Sequence, residues 1–178
     1  MQLKWTQKFE IKPGSWVFVP TPDSKTSGQA IKELIEHRWR PPQYYYHLRS
    51  GGHVEALRSH LSSNFFVHLD LKNFFGSINR SRITRTLKGI CGYERAREIA
   101  SESTVGVPGQ SSSYMLPFGF VQSPILASIC LRKSKLGTVL HQLSSKQGVV
   151  VSVYVDDIII STVDESAATS AIDEVAAA

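Results

Sequence analysis

Cysteine is nearly absent from this chain: Cys91 and Cys130 are the only two in 178 residues. Two thiols build neither a disulfide framework nor a cysteine-ligated zinc site, and their scarcity fits a reducing compartment. Long apolar runs are missing as well. None reaches the roughly 20 residues that a membrane-spanning helix needs, and the opening MQLKWTQKFEIK has no apolar stretch of the signal-peptide kind. The expectation is a cytoplasmic protein with no membrane partner. Acid is scarce in one part only. Up to residue 135 there are 19 Lys/Arg against 9 Asp/Glu, whereas residues 136–178 carry one lysine, Lys146, against six acids. A basic body of this kind attracts a phosphate-rich partner through counterion release, although many basic proteins bind no nucleic acid.

What is present is an ordinary globular composition, 42% hydrophobic and 20% charged, long enough for one domain with a sizeable core. WVFV (16–19) reads as a strand closed by the turn residues PTPDS. Ile31, Leu34, Ile35 and Trp39 then fall at helical spacing, ended by Pro41-Pro42, and Val54, Leu57 and Leu61 mark a second short helix. FFVHLDL (65–71) reads as a buried strand. Asn79 and Ser81 offer caps for a helix with Ile83, Leu87 and Ile90, and YERAREIASE continues in helical character after Gly92. TVGVPGQSSSYM reads as loop. Ser123-Pro124 makes a cap and first-turn pair for one long helix running through Leu143. VVVSVYV and IIISTV are strands, and Asp164 and Glu165 begin a final helix in which the chain stops without a cap, as a truncated fragment would.

Three of the six aspartates, Asp70, Asp156 and Asp157, interrupt apolar strand-like runs, where an unpaired charge is costly. Adjacent Asp156 and Asp157 are a poor choice for a hairpin tip, which favours Asn-Gly or Asp-Gly. Either each carboxylate caps a turn or meets an arginine, or together they hold Mg²⁺, a hard cation that takes oxygen ligands from one or two carboxylates plus substrate phosphates. Two such ions about 4 Å apart are the clamp of phosphoryl transfer.

FVHLDLKNFFGSI, LPFGFVQSPILAS and YVDDIIIS occur in the order and approximate spacing of motifs A, B and C of reverse transcriptases, and most resemble the bacterial retron-like and group II intron-like enzymes. VPTPDSK with Gln29 resembles the fingers of retron-type enzymes, and YHLRSGGHVEALRSHL the segment leading into their motif A. The resemblance implies an α+β right-hand polymerase: fingers over 1–64, and over 65–178 a palm whose antiparallel sheet is backed by helices. Motif A falls at 65–78, B at 116–128 and C at 153–161, and the C-terminal strand and thumb lie outside the chain.

It also implies an RNA-directed DNA polymerase that joins dNTPs to a DNA or RNA primer on an RNA template, using two Mg²⁺ ions for which Mn²⁺ substitutes. Asp70, Asp156 and Asp157 would be catalytic carboxylates, with the Leu71 carbonyl a further metal ligand. Phe75 matches the bulky gate against a ribose 2′-hydroxyl, or else packs beside Phe74. Gly119, Ser123 and Pro124 match motif B under the incoming nucleotide and template, and Tyr154 of YVDD lies at the nucleotide. Two positions depart from the family. Phe118 stands where Pro-Gln-Gly has its amide, and Ser15 where the fingers often carry Arg. Lys12, Lys25 and Arg49 are candidate replacements in the triphosphate clamp, Arg49 also along template and primer, or each is a solvated charge. Divergent motif B resembles that of defence-associated bacterial enzymes, some of which polymerise in unusual ways; an untemplated DNA polymerase is an alternative, and a non-coding RNA and partner proteins are candidate partners. A palm that is idle and only binds nucleic acid is the alternative from another class. The histidines, with 47, 53, 60 and 68 spaced by 6, 7 and 8, match no ligand motif and read as surface or helix positions. Tyr44, Tyr45 and Tyr46 either stack on bases or pack internally.

Overall fold

The computed structural model describes residues 3–178. In chain order the elements are β1 (Trp5–Lys12), β2 (Ser15–Pro20), α1 (Pro22–Arg38), a 3-10 turn (Tyr46–Leu48), α2 (Gly52–Ser59), β3 (Phe65–Asp70), α3 (Arg80–Cys91), α4 (Tyr93–Glu102), β4 (Val105–Gly106), β5 (Tyr114–Met115), α5 (Ser123–Arg132), α6 (Lys135–Leu143), β6 (Val149–Tyr154), β7 (Asp157–Thr162) and α7 (Glu165–Ala176). The strands pair antiparallel in three small sheets, and with the helices they make a mixed α+β structure. No helix among the described residues is long and apolar enough to cross a membrane. The chain gathers into two compact units, residues 1–40 with 73–130 and residues 41–72 with 131–178.

In the first unit, β1 and β2 form a hairpin that turns at Gly14, with φ 83°. Sequence reading misses β1 because most of the strand is exposed, so no face shows the alternation that betrays a half-buried strand. α1 starts at Pro22, nine residues before Ile31, where the helical spacing begins. Thr21, within the segment read as a turn, accepts the Ser24 N–H at 3.2 Å and caps the helix, with Pro22 in its first turn. α3 is capped by Asn79, which accepts the Arg82 N–H at 2.8 Å. Gly92, at φ 80°, ends it and lets α4 begin, so that Ile83, Leu87, Ala96 and Ile99 are all buried. The stretch read as loop contains β4 and β5, whose Val105 and Met115 join Phe18 and Phe120 in a small apolar core. Gly119, at φ 109°, lies so close to β2 that a Cβ there would stand 2.3 Å from the Phe18 carbonyl oxygen.

The long helix expected from Ser123 to Leu143 is two helices. Ser134 accepts the Gly137 N–H at 3.0 Å and caps α6, and a Cβ on Gly137 would come 1.9 Å from the Leu131 carbonyl oxygen. Its apolar spacing survives the break, which is why the pattern looked continuous. Ser123 does not cap α5. It is the helix's first residue, and its buried Oγ has no hydrogen-bond partner among the described residues.

In the second unit the sheet order is β3-β7-β6. Val151, Val153, Ile158 and Ile160 are buried, as are Leu140 and Leu143 of α6 and Ala168 and Ala171 of α7, helices that pack on this sheet. Each such Val, Ile or Leu contributes on the order of 1.5–3 kcal/mol by leaving water. The opposite face carries a buried polar link. His60, 4% exposed at the end of α2, lies 2.6 Å (Nδ1) from Ser161 Oγ and 2.8 Å (Nε2) from Ser152 Oγ. In the neutral ring one nitrogen donates to its serine and the other accepts from the second, so both contacts are satisfied, and Ser161 Oγ lies a further 2.8 Å from Ser63 Oγ.

Two expectations follow. Gly119→Ala and Gly137→Ala should each lower the urea midpoint, Gly119→Ala by at least about 1–3 kcal/mol from its backbone conformation alone; an unchanged midpoint would contradict these close approaches. Burial holds the His60 pKa below its usual value. The stability this neutral ring provides is therefore present above the unfolded pKa and lost as pH falls through the folded one. Between pH 7.5 and 5.5 the melting temperature should fall as the unfolding free energy drops, by up to about 1.4 kcal/mol per pH unit for one proton, and His60→Gln should flatten that slope.

Candidate functional site

The strands on either side of the Asp156-Asp157 pair meet in a two-residue turn. β6 ends at Tyr154, β7 begins at Asp157, and Val155-Asp156 make the tip. The tip is thus not the Asp-Asp pair: Asp156 is in the turn and Asp157 is the first strand residue. The left-handed conformation that such a turn needs falls on Val155, with φ 61°. A β-branched residue there is a backbone outlier, costing of order 1–3 kcal/mol.

Register decides what the strands present. Tyr154 is paired with Asp157 and Asp157 with Asp70, and directly opposite residues share a face. A row of Tyr154, Asp157 and Asp70 therefore crosses all three strands. The ladder continues one step beyond β3, where the Leu71 N–H donates to the Asp156 carbonyl at 3.1 Å, so Asp70-Leu71 runs beside the turn. Like charges directly opposite each other destabilise a sheet. One partial answer is His68, two residues before Asp70 and hence on its face, whose Nε2 lies 3.0 Å from Asp157 Oδ1. Both side chains are more than half exposed, so the pair is worth no more than about 1 kcal/mol.

Tyr154 is 38% exposed, its ring flanked edge-on by His47 at 5.9 Å and His53 at 6.1 Å. Four histidines, 47, 53, 60 and 68, thus contact this sheet at or near its carboxylate face rather than occupying unrelated surface positions. Their spacing hid this because they come from a 3-10 turn, a helix, a helix end and a strand. For His68 a signal existed: on a strand, position 68 faces the same way as position 70.

Tyr44 and Tyr45 are buried at 7% and 0% exposure, so neither ring is open to a base. Tyr45 bridges to Val153 of β6, and burial pushes both phenols above their usual pKa. Arg49 is held against its own segment. It donates to the Gln43 carbonyl at 2.6 Å, with its guanidinium 5.0 Å from the Tyr46 ring centre.

The first unit carries the other residues singled out by the sequence. Phe74 is buried, and Phe75 is half-buried between Phe74 at 5.4 Å and Phe118 at 5.5 Å, ring centre to ring centre. Phe118 is 48% exposed; its carbonyl accepts the Phe18 N–H at 2.9 Å, which fastens this segment to β2. Gly119 follows, pressed on that strand. Gln122 and Ser123 are each 1% exposed, and Pro124 is half-buried at the start of α5. Lys25 is exposed in the first turn of α1, and Lys12 is exposed at the end of β1.

Among the described residues no three His, Cys, Asp or Glu side chains converge into a cage for a metal ion. Asp70 and Asp157 are nevertheless exposed and aligned, with half-buried Asp156 beside them. An open set of hard oxygen donors fits Mg²⁺, which is commonly bound by one or two carboxylates and completed by water and substrate phosphates.

The model for reverse transcriptase (RNA-dependent DNA polymerase) matches residues 7–178, and the chain belongs to that family.

Proposed function

We propose that this chain is the fingers and palm of a bacterial, retron-like or group II intron-like RNA-directed DNA polymerase, with fingers over 1–64 and palm over 65–178. The observation that carries the reading is the row of Asp70 and Asp157, matched across β3 and β7, with Asp156 beside it in the turn. Reverse transcriptase domains generally act with divalent cations such as Mg²⁺ on template, primer and dNTPs.

In this reading Asp70, Asp156, Asp157 and the Leu71 carbonyl hold two cations. When bound, these favour the ionised 3′-hydroxyl and stabilise the charge that develops on the leaving oxygens. The 3′-oxygen forms its bond to the α-phosphorus of a dNTP as the bond to the bridging oxygen breaks, and pyrophosphate leaves. Phe75 fills the space of a 2′-hydroxyl, which selects deoxynucleotides. Its contact with Phe118 supports that role, because a second ring restricts how far the first can swing. Gly119, whose missing Cβ lets motif B press on β2, lies under the nucleotide, Ser123 and Pro124 lie along the template, and Tyr154 bears on the nucleotide. Exposed Lys25 is the better candidate for a phosphate contact, since Arg49 is already engaged with Gln43 and Tyr46.

Phe118 replaces an amide by a ring without hydrogen-bonding groups. That substitution supports placing the chain near the defence-associated enzymes, with a non-coding RNA and partner proteins as candidate partners, and it makes template dependence the property to measure.

Labelled dNTPs should be incorporated with Mg²⁺ or Mn²⁺ on an RNA template, and Asp156→Asn should lower the rate by roughly 10²–10³-fold, the scale on which losing one charge-stabilising group acts. Equal incorporation by wild type and variant would refute the carboxylate assignment, whereas incorporation without template would locate the change at motif B. Phe75→Ala should raise the ratio of NTP to dNTP incorporation by about 10–200-fold, the range for a hydrophobic pocket enlarged around one small group. An unchanged ratio would return Phe75 to a packing role.

A further inference from the structure

β6 is the edge strand of its sheet, so the N–H groups of Val153 and Val155 point away from β7. The segment of residues 44–47 receives both. The Tyr44 carbonyl accepts the Val153 N–H at 2.7 Å, as in an ordinary ladder, and Tyr45, fully buried, bridges to Val153. At the next place along the edge the acceptor is not a carbonyl. It is Nδ1 of His47, 3.0 Å from the Val155 nitrogen. An imidazole thus replaces a main-chain carbonyl at the residue whose backbone is left-handed and next to which stands Asp156.

Nδ1 also lies 3.3 Å from the Val153 carbonyl. One nitrogen cannot donate to that oxygen and accept from Val155 at once, and an amide N–H has only the donor role. The shorter contact therefore fixes Nδ1 as unprotonated, with the proton on Nε2. The ring is held in place by Tyr45 on one side and Tyr154 on the other, each meeting it edge-on at 5.9 Å. A valine at positive φ gains nothing locally from that conformation. Its N–H would also be orphaned at the sheet edge without the imidazole, so the ring answers both needs.

We propose that His47 is a positioning residue: by accepting the Val155 N–H it holds the strained turn and thereby sets where Asp156 and Asp157 stand relative to Asp70. The effect on catalysis rests on the polymerase reading of that carboxylate row, whereas the effect on the turn does not.

The experiment measures, in the intact chain, amide hydrogen exchange at Val155 with Ile160 in β7 as the internal control, together with kcat and KM for dNTP. His47→Leu should speed exchange at Val155 by about tenfold, what losing one hydrogen bond makes in an equilibrium, and leave Ile160 unchanged. It should lower kcat with KM altered by less than about twofold, as expected when alignment rather than binding is lost. His47→Asn, whose Oδ1 can occupy the place of Nδ1, should restore both readouts. Val155→Gly, which removes the cost of positive φ, should make the added His47→Leu change less damaging to kcat. The proposal is overturned if Val155 exchange is unaffected in His47→Leu, if His47→Asn is as impaired as His47→Leu, or if the two changes at 47 and 155 act independently. If wild type incorporates no nucleotide while Val155 exchange responds as stated, the brace stands and the polymerase reading falls.

Discussion

Asp70 and Asp157 face each other across neighbouring strands, a placement that electrostatics opposes and hydrophobic register imposes. Leu69 pairs with Ile158, and Val67 with Ile160, so the apolar residues of β3 and β7 can share one face only if the two aspartates share the other. Slipping the register by one residue would relieve the repulsion and turn every buried isoleucine to solvent. The apolar face, buried where α6 and α7 pack on the sheet, is worth several kcal/mol more than the repulsion between two exposed carboxylates. The sheet therefore delivers two negative charges to one place and leaves them for something else to neutralise.

The turn that completes the row is strained in the same sense. Val155 adopts a conformation suited to glycine, and the surroundings over-determine it: β6 and β7 pair up to Tyr154 and Asp157, the Leu71 N–H holds the Asp156 carbonyl, and His47 takes the Val155 N–H. Strand pairing that closes on both flanks, with one hydrogen bond to each of the two turn residues, is what allows a β-branched residue to persist there. Buried Tyr45 roots the segment that carries His47, which explains why an aromatic run beside arginines is here part of the framework rather than a surface for bases.

Much of the carboxylate site could be read from the sequence because its signals are local. Strands of β-branched residues broken by aspartate announce themselves, and the three motifs in order carried the family. What the sequence hid was non-local or lacked a hydrophobic signature. β1 has no buried face to create alternation, and the break between α5 and α6 leaves the apolar spacing intact while Gly137 and Ser134 do the work. The histidines' shared place was hidden because their common sheet is assembled from segments about a hundred residues apart, as with His47 and Val155. Phe118 could be flagged as a departure, but only the structure reveals that it rests on Phe75.

The central claim is that the row of Asp70 and Asp157, with Asp156 beside it in the turn, receives a divalent cation. Titrating Mn²⁺ into the protein while recording paramagnetic broadening of assigned backbone amides tests it most directly. The account predicts that the amides of residues 69–71 and 155–158 broaden first and together, and that Asp70→Asn shifts this response to higher Mn²⁺. Broadening that begins instead at the acidic residues of α7, or that is indifferent to Asp70→Asn, would contradict it.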